Sequence, residues 1–262
     1  MNDRVHPWNA RQAETLVRSM RQLPHAMLLA GAPGLGKNAF AEWLSGLLLC
    51  EQADAPDLAC NRCQGCRLRA SGSHADLHVV QPESLYKNSD SLLARYAFRY
   101  PPEDKGKDSK DSTVIRIDQV RALIESSHGR PHIAGRRVLV LCPADRMNAN
   151  AANALLKLLE EPPPDSHLIL VADHPARLPA TIRSRCVQID FHIPEPTVAV
   201  DWITGEGVPA QIAAELLALA GGAPLKAVHL GKIGFLDDRD QMVADLENLL
   251  DGKADPVGCA AR

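Results

Sequence analysis

A doubly wound α/β domain followed by a smaller all-helical one is the fold class the sequence predicts, on three observations. Residues 31–38 read GAPGLGKN, a phosphate-binding loop with asparagine where serine or threonine normally stands, set between an apolar run at 26–30 and a helix-like stretch at 39–49. Two more apolar runs, 138–141 and 168–171, alternate with helical patterns, as strands buried on both faces of a parallel sheet do. Beyond Pro194-Glu195-Pro196 the pattern is helical only.

Taken in order, residues 9–22 predict a first helix with Leu16, Met20 and Leu23 on a sparse apolar face. Strand 26–30 then feeds the loop. There Gly31, Gly34 and Gly36 permit the tight path, and the backbone amides of 34–37 would converge on phosphate oxygens at the positive end of the next helix, with Lys37 adding a point charge. A chance glycine-rich turn is the alternative, and the strand and helix flanking the loop weigh against it. Asn38 removes the hydroxyl that normally ligates the magnesium of a bound triphosphate.

Of seven cysteines, Cys50, Cys60, Cys63 and Cys66 fall in one short segment. No apolar signal region opens the chain and no run approaches membrane-spanning length, so the chain reads as cytosolic, where clustered cysteines more often hold metal than disulfides. Four thiolates suit a tetrahedral structural zinc. Free buried thiols and an iron–sulfur cluster are the alternatives, but the ferredoxin pattern wants a fourth cysteine followed by proline, where Ala70 and Ser71 stand. The net charge of −3 gives no global sign of a nucleic-acid binder.

Residues 77–80 predict a short strand. Residues 84–112 lose periodicity, contain Pro101-Pro102 and a charged run, hold all three tyrosines, and are expected to be a mobile insertion. Stacking of those tyrosines on single-stranded nucleic acid is a weaker alternative, because it needs a rigid platform. Residues 114–117 predict a strand, Asp118 an N-cap, and 119–127 a helix. Residues 150–161 give the clearest helix, stopped by three prolines. A last helix is expected over about 239–250.

A competent ATPase of this type ends the strand equivalent to 138–141 in Asp-Glu, to hold magnesium and activate water. Here Cys142-Pro143 stands there, and Asp145 comes three residues late. Losses at 38, 142 and 143 together argue against hydrolysis, while Lys37 leaves weak nucleotide binding open.

The stretch NALLKLLEEPP at 153–163, then LPATIRSRC at 178–186, resembles the AAA+ subunits of replicative clamp loaders, and the four-cysteine insertion resembles the bacterial branch. The resemblance spans roughly 5–235. It implies an AAA+ parallel-sheet domain (1–193, with a zinc module at 50–66), a helical lid (194–233) and a helical segment (234–262) that is the start or remnant of a collar domain; about thirty residues follow Ile233. Either the collar is cut away or ring assembly is weakened. In the family, the arginine of Ser-Arg-Cys reaches the ATP of a neighbouring subunit, which makes Arg185, between Ser184 and Cys186, the expected arginine finger. Leu225 stands where motor subunits place a nucleotide-sensing arginine. The implied role is a non-hydrolysing stator without catalysis of its own, within a DNA polymerase III holoenzyme; the partners are motor subunits, a delta subunit, the sliding clamp and primed DNA. Lys157 could meet the DNA backbone, with a solvated lysine as the plainer reading. An ATP-hydrolysing motor using Asp145 and a zinc-dependent nucleic-acid-binding module are the competing functions.

Overall fold

The computed structural model describes residues 5–52, 57–103, 110–133 and 135–251. They form, in order, α1 (Ala10–Arg18), β1 (Ala26–Ala30), α2 (Lys37–Leu48), α3 (Gln64–Ala70), β2 (Leu77–Val80), α4 (Glu83–Tyr86), α5 (Leu92–Ala97), α6 (Ile117–Ser126), β3 (Arg137–Leu141), α7 (Ala149–Glu160), β4 (Ser166–Ala172), α8 (Ala180–Arg183) and β5 (Val187–Asp190). After a unit boundary between His192 and Ile193 come α9 (Pro196–Gly205), α10 (Ala210–Leu219), α11 (Pro224–Lys232) and α12 (Phe235–Leu250).

The five strands make one sheet in the order β2-β3-β4-β1-β5, every pairing parallel. Every residue of β1, β2 and β3 is buried, because helices cover both faces and each run is apolar enough to accept that. On one face, Val120 and Leu123 of α6 and Leu155, Leu158 and Leu159 of α7 pack on Leu28, Leu139, Leu141 and Leu170 of the sheet. Asn148 caps α7 by accepting from the Ala151 N–H at 2.8 Å, and Pro162 follows its last turn. The register sets Ala30 beside Ala172 and Leu141 beside Leu170, so the ends of β1, β3 and β4 open at one edge, where ligands of such sheets bind.

The helical unit has its own core, in which Ala199 and Ile203 of α9, Ala213, Leu216 and Leu217 of α10, and Ala227 and Val228 of α11 interlock. Helix α12 starts at Phe235, four residues before the expected 239, and contributes no fully buried residue. The end of the expected 234–262 segment, residues 252–262 with Cys259, lies outside the described residues.

Three expectations are corrected. The described part of 84–112 is ordered structure: Tyr86, Tyr96 and Tyr100 are all buried. The Tyr96 hydroxyl donates to the carbonyls of Leu68 and Arg69 and accepts from the His74 N–H, and Tyr100 donates to Ser126 Oγ at 2.8 Å. Arg99 spends its guanidinium on the carbonyls of Gly72, His74 and Leu77, and the three buried tyrosines offer no face to solvent for bases. The charged run at 104–109 lies outside the described residues. Residues 114–117 form no strand; Ile115 makes a single bridge to Met147. Asp118 is not the N-cap, because α6 begins at Ile117 and Gln119 Oε1 accepts from the Arg116 N–H at 3.1 Å.

Candidate functional site

The phosphate-type loop joins β1 to α2. Gly34 and Gly36 take left-handed backbone (φ +83° and +87°), and a β-carbon on Gly36 would sit 2.4 Å from the His6 ring. The segment before α1 clasps the loop: Trp8 Nε1 and Asn9 Nδ2 both donate to the Leu35 carbonyl, at 3.0 and 2.9 Å. Sequence reading passed over His6, Trp8 and Asn9, since nothing local marks a contact so distant in the chain.

Inside the loop, Lys37 is 3% exposed. Its ammonium donates to the Ala32 carbonyl at 2.6 Å and pairs with Asp173 at 2.8 Å. Asp173 follows the last residue of β4, the neighbour of β1. It was missed as well; its place at the end of an apolar run, beside the loop-bearing strand, is the signal that finds it. Asn38 Oδ1 accepts from Cys142 Sγ at 3.0 Å, so the two altered positions bond to each other. Burial pushes the Cys142 thiol up to about 12, and it stays a neutral donor at ordinary pH. Asp145 accepts from the backbone N–H groups of Asp173 (2.9 Å) and His174 (3.3 Å), so both its oxygens hold a turn.

The four clustered cysteines do come together: the Sγ atoms of Cys50, Cys60, Cys63 and Cys66 all lie within 4.8 Å of one another. Tetrahedral Zn–S bonds of about 2.3 Å imply S···S separations of about 3.8 Å, and Cys60 Sγ and Cys66 Sγ stand 4.0 Å apart. Backbone N–H groups turn toward the sulfurs, Cys60 N to Cys50 Sγ and Cys63 N to Cys60 Sγ at 3.3 Å, and Cys66 N to Cys63 Sγ at 3.4 Å. Such bonds favour the thiolate, and those from the backbone at Arg62 and Cys63 help lower Cys60 to about 6; burial pushes Cys66 up. The donor set fits a closed, all-sulfur metal site, and zinc is compatible with it.

Arg185 lies just past α8, away from this chemistry. Its guanidinium pairs with Glu160 Oε1 at 2.7 Å and donates to the Thr181 carbonyl at 3.0 Å, with 37% of the side chain exposed. Ser184 Oγ donates to the same carbonyl at 3.2 Å. Cys186 packs against the main core, and burial raises its thiol to about 11. Lys157 lines an open groove of about 520 Å³ with Arg130 and His128.

Residues 8–195 match the family model described as DNA polymerase III, delta subunit. The chain is 38% identical over 248 residues to a Pseudomonas aeruginosa protein named DNA polymerase III subunit delta', covering 94% of this chain and 67% of that one. It is 33% identical over 231 residues to the Escherichia coli protein of the same name, covering 87% and 61%. The crystal structure of a DNA polymerase III gamma subunit-related protein from Thermotoga maritima superposes with a TM-score of 0.50 at 21% identity, over 92% of this chain and 65% of that one. The chain thus spans about two thirds or less of the length of these proteins. No single helix among the described residues is long and apolar enough to cross a membrane.

Proposed function

This chain belongs to the DNA polymerase III delta-subunit family, and from that premise we propose that it is a non-hydrolysing clamp-loader subunit. In this reading it acts as a stator, presenting Arg185 in trans to ATP held by a neighbouring motor subunit. Its partners are the motor subunits, a delta subunit, the sliding clamp and, through the complex, primed DNA. The observation that carries the reading is the bond from Cys142 Sγ to Asn38 Oδ1. In a hydrolysing loop those two positions supply a hydroxyl and a carboxylate to magnesium; here an amide and a buried thiol satisfy each other. Asp145 is a poor substitute, because each of its oxygens already accepts from a backbone amide and holds the 173–174 turn.

Function then rests on a group that acts outside the chain. A guanidinium placed against the γ-phosphate in the transition state contributes about 10³ to 10⁵ in rate where it has been dissected. Arg185 suits the task because its side chain reaches solvent and its charged partner, Glu160, is itself half exposed. The four cysteines are assigned a structural zinc that ties the 60–66 knuckle to the end of α2; with four sulfur ligands the metal has no open position for chemistry.

The test is reconstitution with motor subunits, clamp and primed DNA, comparing wild type with Arg185→Ala. Assembly should be preserved while ATP turnover at the neighbouring site falls at least tenfold. Unchanged turnover and clamp loading would refute the finger assignment. Magnesium-dependent phosphate release by the chain alone, abolished by Lys37→Ala, would refute the non-hydrolysing one.

A further inference from the structure

Two cations could meet phosphate in a loop of this kind, the helix N-terminus and the lysine, and here the lysine already has an anion. The Lys37 ammonium is buried against the Ala32 carbonyl at 2.6 Å and the Asp173 carboxylate at 2.8 Å. The carboxylate is the more open partner, with 31% of its side chain exposed against 3% for Lys37, so a ligand arriving from solvent meets the negative charge first. The backbone that carries Asp173 is held in place. Its own N–H and that of His174 are held by the two oxygens of Asp145, at 2.9 and 3.3 Å, so one carboxylate fixes the turn that presents the other.

We propose that Asp173 is an internal anion that takes the place of phosphate at Lys37 and closes the 31–38 loop to nucleotides, and that removing its charge opens a phosphate site there. The inference rests on, and deepens, the reading of a loop that does not hydrolyse: exclusion is enforced by a named side chain in addition to the missing magnesium ligands. An incoming phosphate finds Lys37 neutralised and a like charge beside it. Without Asp173, the same phosphate would meet an unpaired ammonium and the amides of a glycine-rich loop at the start of a twelve-residue helix. Because Asn38 is bonded to Cys142, binding in the opened loop should not depend on magnesium.

Calorimetric titration of the purified chain with inorganic pyrophosphate and with ATP, each with and without magnesium, tests this. Asp173→Asn, which keeps the side-chain shape, and Asp173→Ala should each lower the dissociation constant for pyrophosphate at least tenfold relative to wild type. The Lys37→Ala/Asp173→Asn double variant should lose the gain, placing it in the loop. Asp173→Glu, which restores the charge, should stay closed. Thermal melts establish that each variant is folded. Folded Asp173→Asn and Asp173→Ala chains that bind no tighter than wild type would overturn the proposal, as would wild-type binding equal to theirs. Phosphate release is measured on the same samples: turnover by the wild type sinks the non-hydrolysing reading, whereas absent turnover with no gain of affinity sinks only the role of Asp173.

Discussion

Replacing Cys66 by serine, or withdrawing metal with a chelator, should cost the larger unit a substantial part of its thermal stability. Cys66 is 3% exposed, sits in the first turn of α3, and has a sulfur neighbour at 4.0 Å, so a closed four-thiolate site would lose a central ligand. What remains without metal is thin. One N–H to sulfur contact, from Cys60 N to Cys50 Sγ, and one bond from the Gly65 N–H to Glu51 Oε1 at 2.8 Å join the knuckle to the end of α2, neither of them a strong tether alone. A metal that binds only the folded chain stabilises it by RT ln(1 + [L]/Kd), about 4 kcal/mol at a thousandfold excess over Kd. For a unit of this size each kcal/mol moves the midpoint by about 2–4 °C, so loss of metal should lower it by roughly 8–16 °C. The assay pairs metal analysis by mass spectrometry with thermal melts: the wild type should hold one zinc and fall by that amount with chelator. Cys66→Ser should hold little zinc and melt at the chelated value regardless of added chelator. A wild type that carries no metal and melts at the same temperature with and without chelator would refute the reasoning, and the four thiols would then be buried cysteines and nothing more.

Two further outcomes follow from the buried polar groups around β2. Burial, with the Arg137 and Arg99 charges adding to it, holds His78 down to about 4, so the folded state keeps it neutral while the unfolded chain protonates near its ordinary value. Stability is therefore full above about pH 6.5 and falls as the pH drops toward 4, by about 2 kcal/mol at pH 5; denaturant melts of His78→Asn should show a flatter slope across that window. Tyr96→Phe removes one hydroxyl that serves Leu68, Arg69 and His74, and should destabilise the larger unit by about 1–3 kcal/mol, against the near-zero effect expected if the segment were loosely attached.

What the sequence revealed divides along a physical line. Elements whose signal is local were legible: the apolar runs became β1 to β4, the triple proline stopped α7, and cysteine spacing found a cluster whose sulfurs lie within 4.8 Å. Elements defined by a distant partner were not. Strand β5 was passed over because it pairs only with β1 and leaves Val187 half exposed, so it shows no buried run. The segment 84–112 looked loose because its order comes from tyrosine hydroxyls bonded to backbone more than twenty residues away, which periodicity cannot register. The phosphate loop lay between the two cases. Its glycines and Lys37 announced themselves, but Asp173 and the clasp from Trp8 and Asn9 come from elsewhere in the chain.

The two cations the sequence singled out are held in opposite ways, and the contrast bears on which of them does work. Lys37 is buried in a pair whose partner sits on a turn held by a second carboxylate; losing that partner would leave an uncompensated ammonium in the interior, a cost of several kcal/mol. That alone is reason enough to keep a lysine in this loop, so its retention says little about nucleotides. Arg185 faces Glu160 across a pair in which both side chains are substantially solvated, at 37% and 51% exposure. Such pairs are worth about 0–1 kcal/mol, so leaving Glu160 for a phosphate on another chain costs little that the new contact would not return. Fold stability therefore does not explain the arginine, whereas it fully explains the lysine. The residue that stability leaves unexplained is the one to test first for a role in the assembly.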